Sequence, residues 1–212
     1  MKKSKLYLLG IITLIAFPIP AFAFLRWQEN ISLVDFLELK SVSIFTILTG
    51  ILVGGCYALL AMAVMKLPIF EKVPLKIDAL VRSLHLNTFD AIFLSICAGI
   101  GEELLFRSGV QQFLGIWTTS ILFVAIHGYF SIKQPMMNLY GLIVLPFILI
   151  LGYSFEIYGL WFVASAHFSY DLLLFLVLIR SKQPELKIAQ DEFITYPHDQ
   201  ATSSEEYTSE EL

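Results

Sequence analysis

Apolar runs of about 20 residues recur along this chain, and that is the length a helix needs to cross the hydrocarbon layer of a bilayer. Only 15% of the residues are charged, against about 25% in an ordinary soluble domain, and the deficit falls inside the runs. The sequence therefore predicts an all-α, polytopic transmembrane helical bundle of about six spans, both ends cytoplasmic. The expected spans are Leu6–Leu25, Val42–Met65, Thr88–Phe113, Trp117–Tyr129, Leu139–Tyr158 and Gly159–Ile179. The fourth is short and has room to extend to Lys133, and the last two are parted only by a tight turn near Tyr158-Gly159.

Lysine and arginine set the orientation, because cytoplasmic loops carry the excess. With the N-terminus inside, the inside segments collect Lys2, Lys3, Lys5, Lys66, Lys72, Lys76, Arg82, Lys133, Arg180, Lys182 and Lys187, and the outside loops only Arg26 and Lys40. The formal net charge of −4 comes from the tail beyond Pro184, where eight acidic residues face Lys187 alone. No basic stripe suits nucleic acid. Cys56 and Cys97 both fall in apolar runs and read as packing residues rather than a disulfide.

Three regions follow: an N-terminal transmembrane hairpin with a cytoplasmic interfacial connector (1–87), a transmembrane core (88–180) and a disordered acidic cytoplasmic tail (181–212). The connector Lys66–Asn87 mixes Pro68, Pro74, bases and isolated apolar residues, as a short amphipathic surface helix or a solvated linker would. The first run has a second reading, since basic residues, an apolar stretch and Ala21-Phe22-Ala23 resemble a cleavable signal peptide. Its length and the charge asymmetry favour a retained span.

Ionisable groups within spans carry the functional information. Each costs about 2.5–3.5 kcal/mol at the bilayer centre, and this chain places Glu102, Glu103 and Arg107 in the third span, His127 in the fourth, and His167 with Asp171 in the sixth. Left unpaired they would cost of order 10 kcal/mol, as much as a domain's whole stability. They must face the bundle interior and find one another. Glu103 with Arg107, and His167 with Asp171, are four apart and share a helix face. Glu102 is turned about 100° from Glu103, so one carboxylate can pair with Arg107 while the other serves as a general base. Taken singly, the Glu–Arg pair reads as a neutralised bridge and a membrane histidine as an interhelical hydrogen-bonding residue. Six such groups on three helices are hard to explain as packing. Asp90 suits a helix N-terminus, Glu156 an interfacial position, and Ala98, Gly99 and Gly101 close helix approach.

At these residues the sequence resembles the CPBP (Abi, type II CAAX prenyl endopeptidase-like) family of intramembrane proteases. Its EExxxR motif is Glu102 to Arg107, its FxxxH motif Phe123 to His127, and its HxxxN/D motif His167 to Asp171. All three fall in order, each within an expected span, over roughly Asp90 to Leu172. The resemblance implies that Glu102 and His127 activate the attacking water, that His167 and Asp171 serve the oxyanion side, and that Glu103 and Arg107 support the site. An ionised Asp171 cannot donate to an oxyanion as an asparagine could, so it either orients His167 or carries a proton itself. The family is commonly labelled as metalloproteases, and Glu102, His127 and His167 could form a three-ligand zinc site. The HExxH helix of zinc peptidases is absent, and a metal-free glutamate mechanism needing no cofactor is preferred, with Zn2+ the alternative.

The expected function is an intramembrane endopeptidase of the cell (inner or plasma) membrane, acting on a membrane-associated peptide or protein substrate, prenylated or not. The other readings are a non-catalytic membrane scaffold or bacteriocin-immunity protein that binds a partner membrane protein, and a transporter or proton relay. An intact set of motif residues argues against the scaffold. No inverted repeat is visible to favour the transporter.

Overall fold

The structure is a computed structural model that describes residues 2–70, 81, 83–130 and 135–180. The expected acidic tail, much of the expected connector and Lys133 lie outside the described residues. The secondary structure described is helical throughout, and the residues up to Arg180 form one compact unit.

The chain begins with α1 (Lys3–Ile11), which runs through a π-helical stretch, Ile12–Ala16, into α2 (Pro18–Glu29). Pro18 has no N–H to offer the preceding turn, and the wider turn closes instead through Phe17 N to Ile12 O at 3.2 Å. The helix stops at Asn30, whose backbone is left-handed (φ 56°). The short α3 (Leu33–Phe36) follows, capped by Ser32 Oγ, which accepts from Asp35 N at 3.2 Å. The Ser32 hydroxyl and the Lys40 ammonium together hold the exposed Asp35 carboxyl below the usual carboxylate range.

The helix α4 (Ile44–Met65) packs along the last helix, α8 (Leu160–Arg180), through a stripe of small residues. Gly50, Gly54, Ala58 and Ala61 are its buried positions. A Cβ on Gly50 or Gly54 would run into the Phe162 or Ala166 carbonyl oxygen, so the two backbones touch, as small residues allow in membranes. Ser169 Oγ crosses the seam to Ile51 O at 2.8 Å.

Between them, α5 (Thr88–Glu103) starts with a capping box in which Asn87 Oδ1 accepts from Asp90 N and Asp90 Oδ2 from Asn87 N. A second π-helical stretch, Leu104–Val110, joins α5 to α6 (Gln111–Ile126). Gly115 breaks α6 with φ 71° and ψ 170°, which marks the boundary expected between the third and fourth spans. Pro135–Tyr158 forms α7, with Pro146 inside it, and Gly159 (φ 76°) makes the tight turn into α8. Glu38 covers that turn, its carboxylate accepting from Leu160 N at 2.8 Å.

Four described helices are long and apolar enough to cross a membrane: Lys3–Glu29, Ile44–Met65, Pro135–Tyr158 and Leu160–Arg180. The third and fourth expected segments are helical but fall outside that set. One holds the ionisable residues, and beyond Gly115 the other has about eleven residues, roughly 16 Å of helix. Large apolar side chains such as Phe45, Leu52, Leu59 and Ile157 face outward, as expected where lipid is the solvent. The protein is an all-α membrane protein. Both cysteines are free.

Candidate active site

The last turn of α5 delivers Glu102 and Glu103 in two directions. Glu103 points inward and is 0% exposed, as is Arg107. Arg107 Nε donates to Glu103 Oε2 at 2.9 Å, the i,i+4 pair read from the sequence. The other oxygen, Oε1, lies 2.8 Å from His167 Nδ1 on α8. Arg107 Nη1 donates to Gln111 Oε1 at 3.2 Å, and Gln111 Nε2 donates to Gly152 O at 3.1 Å and to Glu156 Oε1 at 2.8 Å. A polar chain thus runs from His167 through Glu103, Arg107 and Gln111 to the exposed Glu156. Arg107 sits in the π-helical turn, a feature that concentrates at functional sites.

Glu102 turns the other way, into a cavity of about 250 Å³. Its Oε2 lies 3.5 Å from Nε2 of His127, which closes the C-terminal end of α6. His127 Nδ1 is 2.7 Å from the Phe123 carbonyl oxygen, which can only accept, so Nδ1 carries the proton. In the neutral ring Nε2 then presents its lone pair toward Glu102. Two acceptors at that separation can hold a shared proton or a water between them. The imidazole is clamped, stacked on Phe123 with centroids 4.3 Å apart and on Tyr129 at 5.9 Å.

On the opposite wall, His167 Nε2 faces Asp171 Oδ2 at 3.6 Å, the second expected i,i+4 pair. All six residues singled out from the sequence are therefore brought together. Glu102, His127, His167 and Asp171 line the cavity, and Glu103 and Arg107 stand behind His167. Gly99 and Gly101 permit this assembly. A Cβ on Gly99 would lie 2.7 Å from Ala164 O, and one on Gly101 would meet the Thr13 backbone.

Sequence reasoning missed several participants. Tyr129, Tyr140 and Tyr170 line the cavity but look like core aromatics in an apolar run. Gln111 extends the four-residue spacing of Glu103 and Arg107 by one more turn, a signal that was available. Leu6, Leu9, Gly10 and Thr13 bring α1 into the cavity wall, although only Thr13 among them carries a polar group. Glu156, expected at an interface, is exposed and also the end of the buried chain through Gln111.

The zinc set considered from the sequence was Glu102, His127 and His167. Among the described residues, no three His, Cys, Asp or Glu side chains converge closely enough to hold a metal ion. His167 Nδ1 is engaged on Glu103 and His127 Nδ1 on a backbone carbonyl, which leaves each Nε2 turned toward a carboxylate.

Comparison with known proteins agrees with the geometry. The family described as type II CAAX prenyl endopeptidase Rce1-like matches residues 84–173, the stretch that holds all six residues. The uncharacterized protein YpbD of Bacillus subtilis (strain 168) is 36% identical over 81 residues, which is 38% of this chain and 41% of that protein. The match thus spans about two fifths of the relative's length. No solved structure matches the chain. Residues 84–173, about two fifths of the chain, are thus similar to the type II CAAX prenyl endopeptidase Rce1-like family.

Proposed function

We propose that the protein is an intramembrane endopeptidase of the cell membrane that hydrolyses peptide bonds in membrane-associated substrates, prenylated or not. The observation that carries this reading is the meeting of Glu102 and His127, from different helices, on the wall of a half-open cavity that also holds His167 and Asp171. Two acceptors 3.5 Å apart are suited to hold and polarise a water.

In the proposed reaction Glu102 takes a proton from that water while the water oxygen bonds to the scissile carbonyl carbon. The carbonyl π pair moves onto its oxygen. On collapse the C–N bond breaks, and the leaving amine takes the proton from Glu102. His127 holds the water, and its own Nδ1 bond to Phe123 O fixes the ring. His167 and Asp171 face the carbonyl side. Glu103 and Arg107 hold His167 in place without touching substrate. No step needs a metal.

The cavity draws on Leu6, Leu9, Gly10 and Thr13 near the start of the chain, on Leu94, Cys97, Ala98 and Glu102 of α5, and on the C-terminal half of α8. Lys3 starts α1 and Arg180 ends α8, and both ends are cytoplasmic under the charge rule. The proposed substrate segment therefore enters from the cytoplasmic side.

The test is cleavage of membrane peptides, CAAX-type and unmodified, by detergent-solubilised protein, wild type beside Glu102→Ala, with and without a chelator. Cleavage that vanishes in the variant and survives the chelator is expected. Cleavage that survives in Glu102→Ala would end this reading. Cleavage abolished by the chelator and restored by zinc would replace the metal-free mechanism. No cleavage by the wild type would turn the weight to a membrane scaffold.

A further inference from the structure

Hydrolysis of a peptide bond puts negative charge on the carbonyl oxygen, and that charge needs a hydrogen-bond donor already in place. The polar residues already placed in this cavity supply few such donors. Glu102 and Asp171 are carboxylates, which when ionised accept only. His127 Nδ1 is spent on the Phe123 carbonyl, and its Nε2 faces Glu102. His167 Nδ1 is spent on Glu103, and only its Nε2, 3.6 Å from Asp171 and so outside hydrogen-bond reach, is left to donate.

Tyr170 lines the same cavity and precedes Asp171 in the chain. It is 4% exposed, and its hydroxyl is buried with no partner at hydrogen-bonding geometry. The Tyr140 phenol is close enough to exchange a hydrogen bond with it when the hydroxyls turn, and Asp171 and Tyr129 are within electrostatic reach. Its ring stacks on Phe147 at 4.4 Å, with 26° between the planes, and lies tilted against Tyr57 at 6.1 Å. A buried hydroxyl with no partner is a liability in an apolar core, and phenylalanine would pack there equally well. A donor with no fixed acceptor, near Asp171 and on a ring held by its aromatic neighbours, has the character of a preorganised catalytic dipole.

We infer that the Tyr170 hydroxyl donates a hydrogen bond to the oxyanion of the tetrahedral intermediate. The inference rests on the peptidase reading above. The hydroxyl keeps its proton throughout: it lends a hydrogen bond as the carbonyl π pair moves onto oxygen and relaxes as the C–N bond breaks. The bonds formed and broken are those already described. In this role the phenol serves where an ionised Asp171 cannot.

The test is Tyr170→Phe, which removes one oxygen and keeps the ring stack. The thermal midpoint in detergent should stay level or rise. With a quenched fluorescent apolar peptide that the wild type cleaves, kcat should fall about 100- to 1,000-fold while KM changes little. A peptide phosphinate of the same sequence, a stable tetrahedral anion, should lose affinity by a similar factor, and the cleaved product peptides should bind as before. Unchanged kcat, or equal weakening of phosphinate and product, would overturn the assignment and leave the peptidase reading standing. A wild type that neither cleaves the peptides nor binds the phosphinate would overturn that reading and this assignment with it.

Discussion

A guanidinium and a carboxylate at 0% exposure persist because each completes the other. Arg107 Nε closes on Glu103 Oε2 at 2.9 Å, and Glu103 Oε1 holds His167. Removing one partner leaves a buried charge uncompensated, which typically costs about 3–5 kcal/mol. Arg107→Leu should therefore lose that much stability in a detergent denaturation titration, and the double variant Arg107→Leu with Glu103→Gln should recover part of it. Equal losses in the single and double variants would mean that the pair is not the source. Glu102 behaves differently, since its side chain is 14% exposed at the cavity and only a 3.5 Å approach ties it to His127. Glu102→Ala should leave the thermal midpoint nearly unchanged while cleavage falls by 100-fold or more; a large drop in midpoint would recast Glu102 as structural. At this scale the helical repeat made the site legible, because Glu103–Arg107 and His167–Asp171 are four apart. The tyrosines were not legible, since a phenol in an apolar run has the pattern of a core aromatic until its hydroxyl is located.

Helices here are shaped by glycines that do two different jobs. Gly54 is a contact glycine, where a Cβ would press on the Ala166 carbonyl oxygen of α8, a backbone atom with no room to yield. Gly54→Val should force α4 away from α8, at a cost in the range of about 1–3 kcal/mol or more that overpacking brings, read as a lower midpoint with cleavage reduced in parallel. Gly115 is a conformational glycine: nothing lies within 4 Å of its would-be Cβ, yet φ is +71°. Gly115→Ala should cost about 1–3 kcal/mol through backbone strain alone. No loss there would show that the break in α6 relaxes into continuous helix. The two broad helices on either side of Tyr158-Gly159 were readable from length and hydropathy. The π-helical stretches were not, because an i→i+5 turn leaves no residue signature beyond Pro18 in one case and none in the other.

Across the whole molecule, the N-terminal helix belongs to the site as well as to the membrane. Its Leu6, Leu9, Gly10 and Thr13 form cavity wall, and it is moored at one end by Asp90. That carboxylate takes Lys3 Nζ at 2.6 Å, the Tyr7 hydroxyl and the Asn87 N–H. The sequence could place Asp90 at a helix start but not show that it also gathers α1, since nothing in an apolar run names its neighbour. Cys97 reports on the mooring: it is 1% exposed and lies against Gly10, where an added Cβ would come 3.4 Å from its sulfur. Asp90→Asn keeps a capping side chain but removes the charge that holds Lys3, and a hydrogen bond to a charged group is worth about 1.5–3 kcal/mol. If α1 opens as a unit, its open population should rise roughly 10- to 100-fold, since each 1.4 kcal/mol is a factor of ten. In a Cys56→Ala background, N-ethylmaleimide should then label Cys97 faster by that factor. Slower labelling on addition of a bound substrate peptide would place the same opening on the substrate's path. Labelling at the wild-type rate would mean that α1 is held by its packing on Phe93 and Cys97 and that the Asp90 cluster serves only to start α5.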